Sequence, residues 1–136
     1  MSLENVEIVR QIYAESAEGR FGTRGDLFDP DMEYIRSGLE DENPGMTVRA
    51  RGLEQAFTAA LEWIETFDHL RVKAERFIDV GDSVVVLTRH TGTAKMSGLA
   101  IDEAFADLLT LHGGRVVRLT QYRDRTKALE AVGLRE

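Results

Sequence analysis

From Leu70 to Arg123 the chain is rich in β-branched and aromatic residues, and three pairs that favour tight turns interrupt it: Gly81-Asp82, Ser97-Gly98 and Gly113-Gly114. Short connections can only join antiparallel neighbours, because a parallel crossover needs a dozen residues or more. The spacing therefore predicts four sequential antiparallel strands. Such a sheet must bury a face, so the rest of the chain has to supply the layer that covers it.

The flanking segments have helical periodicity. In "SLENVEIVRQIYAESAEGRF", Val6, Val9, Tyr13 and Ala17 recur at helical spacing beside Ile8 and Ile12, which predicts an amphipathic opening helix. In "RGLEQAFTAALEWIETF", Leu53, Phe57, Ala60, Ile64 and Phe67 form one apolar stripe, which predicts a second helix lying on the sheet. Between them "DMEYIR" alternates Met32, Tyr34 and Arg36 against Glu33 and Ile35, a short strand. The following "SGLEDENPGMTVRARG" has no period and reads as a connection, and no role is assigned to its acidic part, residues 39–50. At the end Asp124 caps a short helix "RTKALEAV", with Gly133 as its left-handed stop and Leu134 folding back. Helices and strands in separate runs make this an α+β chain, and its 136 residues suit a single domain, 1–136.

Composition narrows the function. A net charge of −7 opposes approach to a phosphate backbone or an anionic membrane, so neither nucleic acid nor a membrane is an expected partner. Apolar runs such as "FIDVGDSVVVL" are too short and too charged to span a bilayer, and "MSLENVEIVR" lacks a signal-peptide pattern. Absence of cysteine removes thiol chemistry and thiolate metal sites, and suits a cytoplasmic location. His69, His90 and His112 stand on three different segments without metal-ligand spacing, so no metal site is expected.

One residue conflicts with its surroundings. In "AFADLLTLHGG" the odd positions Phe105, Asp107, Leu109 and Leu111 form the bulky, inward face, so Asp107 points into apolar surroundings. An unpartnered carboxylate there would cost several kcal/mol or hold its proton. A two-residue Gly81-Asp82 turn places Ile78 opposite Val85 and Ala74 opposite Arg89, and three-residue connections beyond it place Asp107 across from Arg89 and Gln121, with Arg123 one step along. Two readings stay open: a satisfied buried network of Asp107, Arg89 and Gln121, or a polar floor in an apolar pocket.

The element order, with "DLFDPDMEYIRSG", "LEWIETFDHLRVKAERFIDVGDSVVVL", Ser97-Gly98, "LLTLHGGRVVRL" and "DRTKALEAVGL", resembles the SnoaL-like branch of the nuclear transport factor 2-like (cystatin-like) superfamily, whose relatives include ketosteroid isomerase and polyketide cyclases. The resemblance implies a cone-shaped, strongly bent antiparallel sheet wrapped by about three helices, an internal pocket for a small apolar molecule, and a homodimer through the outer sheet face. In the isomerase a neutral aspartic acid donates a hydrogen bond, and together with a tyrosine it holds an enolate while a second carboxylate moves the proton. Matching "IVRQIYAES" and "FADLLTL" to that pattern places Tyr13 and Asp107 at the first two roles. Arg36 occupies the third, where no arginine can act as a base near neutral pH.

Three functions follow. One is a cofactor-free acid–base enzyme of isomerase, cyclase or hydrolase type, with Asp107 and Tyr13 catalytic and Arg36, Arg89, Gln121, Tyr34, Trp63 and Arg123 binding substrate. Another is a non-catalytic binder of the same shape. The third is a dimerising module built on an outer sheet face of Val84, Val86, Val116 and Tyr122.

Overall fold

The computed structural model describes residues 2–37 and 48–134, so most of the acidic connection at 39–50 lies outside the described residues. Helix α1 (Ser2–Ala14) leads through short 3₁₀ turns at Ser16–Glu18 and Gly25–Leu27 into β1 (Phe28–Ser37). Then come β2 (Val48–Arg51), α2 (Leu53–Ile64), β3 (Phe67–Asp79), β4 (Ser83–Ala94), β5 (Ala100–His112), β6 (Arg115–Tyr122) and α3 (Arg125–Ala131). The strands form one six-stranded sheet in the order β2-β1-β6-β5-β4-β3, curled but not closed. All neighbours are antiparallel except β1 and β6, whose parallel pairing needs the long crossover through the intervening elements.

The four sequential strands stand where the turn pairs place them, and Gly81, Gly98, Gly113 and Gly114 all have positive φ. The "DMEYIR" strand is β1, extended at both ends. β2 is a strand that its sequence does not announce: "VRAR" belongs to the segment read as a connection, and it pairs with β1 from Glu33↔Arg51 to Arg36↔Val48. Gly52 then turns the chain into α2 with φ 91° and ψ 145°, a region open in practice only to glycine, while its N–H donates to Met32 O at 2.8 Å. Gly52→Ala is accordingly expected to cost about 1–3 kcal/mol, read as a lower urea midpoint with unchanged slope.

The sheet is covered on both faces. Inside the curl, Val9 and Tyr13 of α1 pack on Leu70, Val72, Val84, Val86, Leu109, Leu111 and Val116. Under α2 lies a second cluster of Met32, Tyr34, Ala56 and Ala59. On the outer face, Ala128 and Leu129 of α3 seal Val85, Leu87 and Ala106. The Asp124 cap forms as its sequence predicts, accepting from Thr126 N at 2.8 Å, and Leu134 N returns to Leu129 O at 2.8 Å past Gly133. Arg125 fixes α3 to the sheet by donating to Phe105 O, Thr88 O and Glu75.

This layering corrects the expected outer face. Val84, Val86 and Val116 are fully buried in the inner core and offer no surface to a second copy, and Tyr122 packs against the cluster under α3. β4 is apolar on both faces because both faces are covered, so alternation cannot show which one points inward.

Candidate functional site

A cavity of about 370 Å³ opens between the inner face of the sheet, α1, α2 and the segment Arg20–Gly25. Its wall explains the apolar stripe of α2. Leu53, Ala60 and Ile64 pack against the core clusters and line the cavity as well, and Phe57 lines it while remaining 39% exposed. The mouth carries charge: Arg24 donates to Gln11 at 3.2 Å and chelates Asp26 with two bonds of 3.1 Å.

At the floor, Asp107 is 2% exposed, and Tyr13 Oη donates a hydrogen bond to its Oδ2. The two residues are 94 positions apart in sequence and meet because α1 lies across the curl. Gln121 stands opposite Asp107 in the β5–β6 register, as pairing predicts. Tyr34 Oη donates to Gln121 Oε1 at 2.5 Å, which leaves the Gln121 amide N–H groups free to face the carboxylate. Arg36 Nε in turn donates to Tyr34 Oη at 3.3 Å, and Arg36 Nη2 donates to Ala59 O at 2.6 Å. A chain of polar groups thus runs from a guanidinium at the edge to a carboxylate at the floor.

Burial dominates the electrostatics here. It pushes the Asp107 pKa up to about 7, against the opposing pull of the hydrogen bonds from Tyr13 and then Gln121. Burial, followed by the charge of Asp107, raises Tyr13 well above the usual phenol range, so Tyr13 remains a donor. Tyr34 is raised by burial and held back by Arg36. Asp107 Oδ1 has no hydrogen-bond partner of good geometry.

The cavity wall includes Tyr13, Tyr34, Trp63, Asp107 and Gln121. Three arginines fall elsewhere. Arg36 touches the site only through Tyr34. Arg89 lies on the outer face, paired with Asp102 at 2.8 Å and Glu75 at 3.2 Å, and does not approach Asp107. Arg123 is exposed beyond the end of β6. The reversal of Arg89 comes from register. The β4–β5 connection is longer than three residues, so Arg89 pairs with Ala104 and Val86 with Asp107. A bulge at Glu75 also shifts the β3 partner of Arg89 from Ala74 to Lys73. A one-residue change of register sends every side chain to the other face.

The same reversal turns His90, the neighbour of Arg89 on β4, to the inner face. His90 is 4% exposed, lines the cavity, and packs its ring against Phe105 at 4.5 Å and Trp63 at 6.0 Å between centroids. Trp63 Nε1 donates to His90 Nδ1 at 3.1 Å, and burial lowers the His90 pKa to about 4. Among the described residues no group of three or more histidines and acids could hold a metal ion, and no helix is long and apolar enough to cross a membrane.

A curled, unclosed sheet with helices over both faces and a cavity inside the curl defines the nuclear transport factor 2-like class of folds. Within that class the chain belongs to the SnoaL-like domain family, which matches residues 9–119. Among solved structures it is similar to a protein assigned as a SnoaL-like polyketide cyclase from Jannaschia sp. CCS1, with 26% identity, TM-score 0.76, and 96% of this chain and 92% of that chain covered. It is also similar to a protein of ketosteroid isomerase-like fold from Catenulispora acidiphila in complex with trimethylamine (21% identity, TM-score 0.69, 94% and 93% covered). A third is TerC co-crystallised with polyporic acid (19% identity, TM-score 0.72, 95% and 98% covered). No curated protein matches the chain.

Proposed function

We propose that the protein takes a small, largely apolar carbonyl compound into the cavity and moves a proton on it by acid–base chemistry, with Asp107 as the proton carrier and Tyr13 as its hydrogen-bonding partner. The observation that carries this reading is the Tyr13–Asp107 contact on the cavity wall, where the carboxyl is held near pKa 7. Such a group is part ionised at neutral pH and can both take and return a proton. In the ionised form, Asp107 accepts a proton from carbon next to a carbonyl. Tyr13 Oη then turns its hydrogen bond to the enolate oxygen, and the protonated Asp107 returns the proton to carbon or oxygen. Tyr34, Gln121 and Trp63 shape the wall, and Arg36 polarises Tyr34 from outside.

Two carboxylates are the isomerase arrangement, and β1 presents Met32, Tyr34 and Arg36 on the face concerned instead. With Asp107 as the proton carrier, no second acid joins Tyr13 at the enolate oxygen, which suits α-proton exchange and aldol-type ring closure. The SnoaL-like family and the cyclase-assigned neighbour support this reaction class, and TerC with polyporic acid supports a ligand of this kind.

The test is deuterium exchange at the α-carbons of 2-tetralone in D₂O, followed by proton NMR. Catalysis above the buffer rate is expected, and Tyr13→Phe is expected to reduce it by about 10²–10³-fold through loss of one donor. Tight binding of such ketones with no exchange above buffer would leave the non-catalytic binder of the same cavity standing in its place.

A further inference from the structure

His90 is buried on the cavity wall, and one of its two ring nitrogens has no protein partner. The tautomer is fixed by geometry. Trp63 Nε1 can only donate, so His90 Nδ1 accepts, and the proton of the neutral ring sits on Nε2. Nε2–H is thus a donor directed by the indole and clamped between aromatic rings. Asp107 Oδ1, on the same cavity wall, is likewise buried without a partner of good geometry. A buried polar group left without a partner costs about as much as a lost hydrogen bond, so a ligand oxygen that reaches one of them gains what the empty fold lacks.

The orphaned groups are not clustered at one point. His90 lies four residues along β4 from Val86, the residue opposite Asp107, or about 13 Å at the rise of a strand. Apolar surface from Trp63, Ile64, Leu70 and Val72 lines the wall of the same cavity.

We propose that His90 is the second polar anchor of this cavity, donating Nε2–H to an oxygen at the far end of a flat apolar ligand whose near oxygen is held by Tyr13 and Asp107. The inference rests on the cavity reading given above and adds the ligand class: an extended molecule with oxygens at opposite ends. Burial keeps His90 uncharged at neutral pH, so the anchor selects a carbonyl or hydroxyl oxygen and offers no charge to a carboxylate.

Calorimetric titration of the full chain with 2-naphthol and 6-acetyl-2-naphthol tests this, since the two probes differ only in the second oxygen-bearing end. The wild type is expected to bind the acetyl compound roughly tenfold tighter, the gain from one more satisfied hydrogen bond, and His90→Phe is expected to lose that preference while still binding 2-naphthol. A second readout needs no variant: the His90 Nε2–H resonance in ¹H–¹⁵N spectra should move with the acetyl compound and stay in place with 2-naphthol. Equal affinities in the wild type, or a preference that survives in His90→Phe, overturns the anchor while the role of Asp107 stands. Failure of both probes to bind overturns the cavity reading together with the anchor.

Discussion

Asp107→Asn is expected to lower catalysed α-proton exchange by about 10²–10⁴-fold, the usual contribution of a positioned acid–base group, while the chain remains folded. The substitution keeps the shape of the side chain. An asparagine Oδ1 can still accept from Tyr13, and the neighbouring register with Gln121 does not depend on charge. What it removes is a cavity-wall carboxyl that titrates near neutrality. The pH profile of the wild type provides a second check. Exchange should rise with pH as Asp107 ionises and level off above about 7, where the carboxylate form is complete. Retention of exchange in Asp107→Asn would remove Asp107 from the mechanism, whatever the cavity binds. The comparison is made by NMR on both proteins, with urea unfolding to show that the variant is folded.

Asp107 was legible because it breaks a pattern. Its strand β5 has one clear apolar face, so the facing of its residues follows from alternation, whereas Asp107 meets Gln121 because a two-residue Gly113-Gly114 turn and a bulge between Thr110 and Leu111 together give the register expected of a three-residue connection. Tyr13 followed from the helical stripe and the family resemblance together. β4 gave no such guide. "VVVL" is buried on both faces, and its connection to β5 has a length that composition does not determine, so Arg89 and His90 exchanged sides. The edge strand β2 is also silent in sequence, since "VRAR" acquires its strand geometry from pairing with β1 and from the turn at Gly52. The cavity itself emerges only from the geometry: the stripe on α2 has the same spacing whether it faces a packed core or an open space.

Asp107 and His90 carry opposite and nearly matching pH dependences, so removing either should expose the other. The Asp107 pKa is about 7 in the folded chain against 3.8 for the ordinary group, so its stabilising contribution is complete below about 3.8 and is lost as pH rises to about 7. The His90 pKa is about 4 against 6.5, so its contribution is complete above 6.5 and is lost as pH falls to about 4. Between pH 4 and 6.5 the two slopes have opposite sign, each worth about 3 kcal/mol over the window, and the wild type shows little of either. Relative to the wild type, Asp107→Asn should therefore gain stability as pH rises through this range. His90→Phe should lose stability over the same range by a similar amount. Other titrating groups are common to all three proteins and cancel in the differences, so urea unfolding at about pH 4.5 and about pH 7 suffices. Parallel pH curves for wild type and Asp107→Asn would mean that Asp107 ionises as readily in the fold as outside it, and would deny it the poised state on which proton transfer depends.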